Sequence, residues 1–116
     1  MVRFEGPIPD RARIAQAYRE ARGFVLLSAM ESLSLSALEA AACRCPLLLS
    51  DLPWARYTFG DTARYCPITD VAGTAACLRS FYDAAPSIPP APIPLAWRDV
   101  AVQLKGIYER LLSASR

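Results

Sequence analysis

The runs Gly23-Phe24-Val25-Leu26-Leu27-Ser28 and Pro46-Leu47-Leu48-Leu49-Ser50, with the Ala-rich Ser36-Ala37-Leu38-Glu39-Ala40-Ala41-Ala42 between them, decide the fold of this 116-residue chain. Both apolar runs are continuous rather than alternating, which is the pattern of strands covered on both faces and implies a parallel sheet. The stretch between them reads as the crossover helix that parallel strands require. Upstream, Asp10 to Arg22 carries Ile14, Ala17, Tyr18 and Ala21 at helical spacing after Pro9-Asp10, and Met1 to Phe4 reads as a leading strand broken by Gly6, Pro7 and Pro9. Downstream, Arg64-Tyr65-Cys66 is a weaker candidate strand. Asp70 to Ala84 follows with Val71, Ala75, Leu78 and Phe81 or Tyr82 on one stripe. Trp97 to Leu112 carries a second stripe of Val100, Leu104, Ile107, Tyr108 and Leu111. The expected order is strand, helix, strand, helix, strand and two longer helices: one α/β layer with a strapped-on helix.

Five of the ten prolines lie in Ala85 to Pro94, so this segment is expected to be an extended, polyproline-like spacer. The chain divides accordingly into a core over 1–84, a proline-rich linker over 85–94 and a closing helix over 95–116. Composition is that of a small folded domain: 53% hydrophobic, 21% charged and a mean hydropathy of +0.19 exclude a disordered chain. Thirteen basic against eleven acidic residues leave a net charge of +2, and the basic residues are scattered, so no nucleic-acid footprint is expected. No apolar run approaches the roughly 18 residues that span a bilayer.

Histidine is absent, which removes His-based nucleophile triads and His-containing zinc sites. Cys43, Cys45, Cys66 and Cys77 form no C-x-x-C pair and read as reduced packing thiols, without a metal site; the setting expected is cytoplasmic. A receiver-like unit needs clustered acidic residues at strand ends, and Asp51 alone stands there.

Chemistry concentrates in Ser28 to Ala42, which leaves the first buried strand and enters a helix. Ligands of open α/β sheets bind beyond the carboxyl ends of the strands. A helix N-terminus there offers unpaired N–H groups to a phosphate, and Ser32, Ser34 and Ser36 add hydroxyls. Glu31 is placed before the helix and Glu39 inside its first turn, as acceptors for the hydroxyls of groups flanking a phosphate, such as ribose and a sugar. A simpler account stands beside this one: Ser36-Ala37-Leu38-Glu39 fits a capping box, and Ser28-x-x-Glu31 fits the same pattern.

The whole order of features resembles the retaining glycosyltransferases of the GT-B fold, glycosyl transferases group 1, in the C-terminal part of their donor-binding domain. Val2-Arg3-Phe4-Glu5-Gly6 is similar to the family's strand-and-glycine opening, and Tyr18 to Ser28 to its helix-to-strand segment. Glu31 and Glu39 match the family's E-x7-E motif. Ala40 to Asp51 resembles its Glu-Ala-Met-Ala stretch and following strand, Gly60 to Pro67 its next signature, and Trp97 to Leu112 its closing helix.

The resemblance implies a Rossmann-like parallel sheet with flanking helices, half of a GT-B C-terminal domain. It implies that the chain binds a nucleotide sugar (a UDP-, GDP- or ADP-sugar) and serves transfer of a hexose to a glycan or lipid acceptor in polysaccharide assembly, at the inner face of the membrane. By the same resemblance Glu31 contacts donor-sugar hydroxyls, Ser32, Leu33, Ser34 and Leu35 approach the diphosphate, Glu39 holds the ribose and Ile8 lies against the base. No catalytic residue is assigned, no metal or other cofactor is implied, and the electrostatic work falls on groups that receive the leaving nucleoside diphosphate. Two departures stand out. Ser32-Leu33-Ser34 replaces the family's Gly-Phe-Gly, so a side chain at Ser34 is expected to crowd the backbone's approach to phosphate. Arg44 stands where the family has Gly. The acceptor domain and the diphosphate-gripping basic residues precede this region in the family, so the chain is expected to be inactive alone. Self-association through 95–112 is expected as well. The reading from a different class is a degenerate, non-enzymatic α/β module acting in protein interaction.

Overall fold

The computed structural model describes residues 1–115. In chain order its elements are α1 (Arg11–Glu20), β1 (Phe24–Leu26), α2 (Leu35–Ala42), β2 (Leu47–Ser50), α3 (Pro53–Phe59), β3 (Arg64–Cys66), α4 (Val71–Ala84) and α5 (Trp97–Ala114), with 3-10 turns at Gly60–Thr62 and Ala85–Ser87. The three strands form one parallel sheet in the order β1-β2-β3, with Val25 opposite Leu48 and Leu49 opposite Tyr65. This is the parallel α/β sheet that the apolar runs imply, in the Rossmann-like half-domain arrangement that the resemblance implies.

Side chains alternate across a strand, so β2 divides its leucines between two cores. Leu47 and Leu49 enter the layer built by Ala37, Ala40 and Ala41 of α2 with Ala55 and Phe59 of α3, while Leu48 enters the layer of Cys66, Phe81 and Ala85 beneath α4. Three consecutive leucines are therefore fully buried because β2 is the central strand. β1 differs from the expectation. Phe24 and Leu26 face the α2 layer, with Tyr18 edge-on to Phe24 at 5.8 Å, but Val25 is 43% exposed on the face where α4 alone provides cover. A continuous apolar run does not guarantee a helix on each side.

Three further expectations are corrected. Met1 to Phe4 forms no strand: it stays unpaired, with Val2 and Phe4 in solvent, since an extended segment becomes a strand only by pairing with a neighbour. The helix α3 adds an element between β2 and β3 that the expected order lacks; Pro53 at its first turn fixes φ where the missing N–H costs nothing. The proline-rich linker begins with a 3-10 turn before it becomes irregular, and it is not a free spacer. Its Ala91 is buried in the α2 layer, and Pro92, Ile93 and Pro94 line a cleft of about 230 Å³ with Leu38, Ala41 and Phe59.

The linker delivers α5 into the open: none of its side chains is buried. The Cα radius of gyration is 17.3 Å and the longest extent 62 Å, against a radius of about 13 Å for a compact domain of this length. Of the closing segment 95–116, Arg116 lies outside the described residues. No helix among the described residues is long and apolar enough to cross a membrane.

Candidate functional site

The sheet's carboxyl edge is tied together by two serines. Ser50, fully buried at the end of β2, donates from Oγ to the Ser28 carbonyl at 2.6 Å, just past β1. Ser28 in turn donates from Oγ to Glu31 Oε1 at 2.8 Å. A core hydroxyl thus fixes the backbone from which the Glu31 carboxylate is held. The pairing of Ser28 with Glu31 is not a helix cap as the spacing suggested, because no helix begins there; it is a bond between side chains.

The α2 cap is also displaced from its expected place. Ser34, not Ser36, is the N-cap: its Oγ accepts from the Ala37 amide at 3.2 Å and lies 3.2 Å from Ser36 Oγ. The residue three beyond the cap is Ala37, so no carboxylate closes a capping box. Glu39 falls in the second turn of α2 rather than the first. The expected crowding at Ser34 also disappears, since its side chain is turned into the cap, only 4% exposed, at an ordinary φ of −77°. Among the described residues nothing accepts from the Leu35 and Ser36 amides, which leaves two N–H groups at the positive end of the helix dipole.

With the cap excluded, Glu39 has a different partner: Arg11 Nη1 donates to its Oε1 at 3.0 Å, from the first turn of α1. Tyr18, also on α1, lies near enough to feel the same carboxylate. Burial first, then the charge of Glu39 and the Cys43 and Cys45 thiols, holds its phenol above the ordinary value.

Ser32, Leu33 and Leu35 are exposed around this edge. Ile8 is half-buried in a cleft of about 390 Å³ lined by Arg3, Glu5, Arg13, Gln16, Ala17 and Glu20, so the structure places it against α1 and not among the α2 residues. Gly6, two residues earlier, has φ +69°, the left-handed turn that glycine favours. Sequence reasoning missed Arg11 and Ser50, whose partners lie 28 and 22 residues away in the chain with no spacing to announce them. It also missed that Asp51 is occupied. Arg56 donates to it and stacks 4.2 Å over the Tyr65 ring, and that hydrogen bond holds the Asp51 carboxyl below its ordinary range. Among the described residues no three His, Cys, Asp or Glu side chains converge.

Arg44 explains its family departure by geometry. It closes α2 in the left-handed region at φ +62°, with its amide bonded to the Ala41 carbonyl and the next amide, Cys45, to Ala40. That is a Schellman motif, whose left-handed position is ordinarily glycine.

A family model described as "Glycosyl transferases group 1" matches residues 1–84 of the chain, which takes in every element through α4. No curated protein and no solved structure matches it.

Proposed function

The chain belongs to the group 1 glycosyltransferases, and on that premise we propose that the α2 edge of its sheet is the nucleotide-sugar site of a retaining, GT-B-type enzyme. One observation carries the reading: a helix N-terminus with two unengaged amides, flanked by two carboxylates that are each held by a neighbour, at the carboxyl ends of parallel strands. The amides of Leu35 and Ser36, with the backbone of Leu33 and Ser34 and the hydroxyl of Ser32 beside them, receive the diphosphate. Glu39 accepts from ribose hydroxyls and Glu31 from hydroxyls of the sugar. Preorganised N–H groups stabilise the charge that develops on the nucleoside diphosphate as it departs. The chemistry is hexose transfer to a glycan or lipid acceptor, completed by an acceptor-binding partner domain.

Calorimetric titration of the chain with UDP, GDP and ADP tests this. Saturable binding of one nucleotide, weakened by about tenfold or more in Glu39→Gln, a loss of about 1.4 kcal/mol, is expected at unchanged melting temperature. Absence of binding by all three, or equal binding by Glu39→Gln, overturns the site. A second reading, a protein-interaction module, has one observation in its favour: the uncovered apolar stripe of α5. Concentration-independent mass in sedimentation, with no binding to an acceptor domain, counts against it.

A further inference from the structure

We propose that Arg11 is the positioning residue that orients Glu39 for the ribose, and so makes the site prefer ribonucleotides to deoxyribonucleotides. This rests on the nucleotide-site reading above. Arg11 opens α1 immediately after the N-cap Asp10, whose carboxylate accepts from the Ala12 amide at 2.8 Å, so its backbone is fixed. Its guanidinium reaches Glu39 across the α1–α2 contact. Arg11 and Tyr18 are seven residues apart, two helical turns along the same stripe of α1; Arg11 donates to the Glu39 carboxylate, and the Tyr18 phenol lies within reach of its charge. By contrast Glu20, the acidic residue of α1 itself, is bonded within its own helix by Gln16 at 2.8 Å.

The pair is exposed, with side chains at 86% and 42%, so it contributes little to stability. Its effect is on orientation. A free glutamate carboxylate samples several rotamers, and fixing it at the moment of binding costs affinity. Here Oε1 is already taken by Arg11, and among the described residues nothing donates to Oε2, which keeps its lone pairs for the ribose 2′-hydroxyl that a 2′-deoxy nucleotide lacks. Loss of Arg11 therefore weakens the ligand that carries the hydroxyl and spares the one that does not.

The experiment is titration of the 116-residue chain with UDP, GDP, ADP and their 2′-deoxy counterparts, in wild type, Arg11→Met, Arg11→Lys and Glu39→Gln. Wild type is expected to prefer the ribose form of its nucleotide by about tenfold. Arg11→Met lowers that ratio to about threefold or less by weakening the ribonucleotide alone, and Arg11→Lys restores part of it because a cation remains, without the planar fork. An unchanged ratio in Arg11→Met overturns the proposal and leaves an ordinary surface ion pair. Equal weakening of both forms overturns it also, because Arg11 then acts through the 3′-hydroxyl or the phosphates, which both forms keep. Wild type that binds without ribose preference, or does not bind at all, overturns the role of Glu39 and the positioning role with it. Arg11→Met that behaves like Arg11→Lys in melting temperature separates these outcomes from a folding defect.

Discussion

α2 and α5 are both amphipathic helices with apolar residues at helical spacing, yet the eight-residue α2 buries Ala37, Ala40 and Ala41 and the eighteen-residue α5 buries nothing. The shorter helix has the smaller side chains and the better place. Its alanines let the helix approach β2 closely enough for Leu47 and Leu49 to be sealed beneath it, whereas the larger Trp97, Leu104 and Leu111 of α5 face solvent. A pattern states which face of a helix is apolar, and the surface that receives it must come from elsewhere in the chain or from a partner.

The contrast is broken or sharpened most strongly by truncating one leucine on each side of it. Leu49→Ala empties the α2 layer and should cost about 2–5 kcal/mol, while Leu104→Ala on α5 should stay within about 0.5 kcal/mol; urea unfolding of both variants measures this. Equal losses would mean that α5 is covered in solution by a second copy or by the body of the chain. A smaller effect, of opposite sign, is expected where α2 ends. Arg44 holds φ +62°, a conformation that disfavours side chains by about 1–2 kcal/mol, offset in part by the greater unfolded freedom of glycine. Arg44→Gly should therefore gain about 0.5–1 kcal/mol in the same unfolding experiment; a loss would show that the Arg44 side chain makes a stabilising contact.

α4 lies between the two extremes, with Phe81 its one buried side chain, and supplies the most delicate test. Asp70 caps it, accepting from the Gly73 amide at 2.7 Å. That bond first, and the Thr69 hydroxyl next, lower the Asp70 pKa below its ordinary value. A folded-state pKa below the unfolded one adds stability that is complete above the ordinary carboxylate range and is lost as pH falls through the depressed value. The gap in melting temperature between wild type and Asp70→Ala should thus be widest at neutral pH and narrow below about pH 4. A gap of constant width down to about pH 2.5 would assign the cap's effect to its shape and not its charge.

Much of the frame was legible because it depends on neighbours in sequence. Leu47 to Leu49 announced a parallel strand covered on both faces, Asp10 and Asp70 announced helix starts, and Trp97 to Leu111 announced a long helix. The errors arose where a partner decides. Val2 and Phe4 have the residues of a strand and no strand beside them, Val25 sits in an apolar run and half faces water, and Ser36 has a box partner but Ser34 takes the cap. At the candidate site Glu31 and Glu39 were visible by spacing, but what holds each of them was not. The capping account of Glu39 fails on a shift of two residues in the cap, and its actual partner, Arg11, belongs to another helix.

The sequence by itself determined most element types, though not α3 or the unpaired Met1 to Phe4, together with the parallel arrangement and the two carboxylates around α2, since periodicity, capping residues and crossover length are local properties of the chain. Only the tertiary structure decided that α1 supplies the hand on Glu39, that Ser50 anchors Ser28, and that the proline strap closes over α2 while α5 stands clear. Contacts across 28 and 22 residues exist only once the sheet has brought distant segments to one edge, and no local pattern encodes which side chains will meet there.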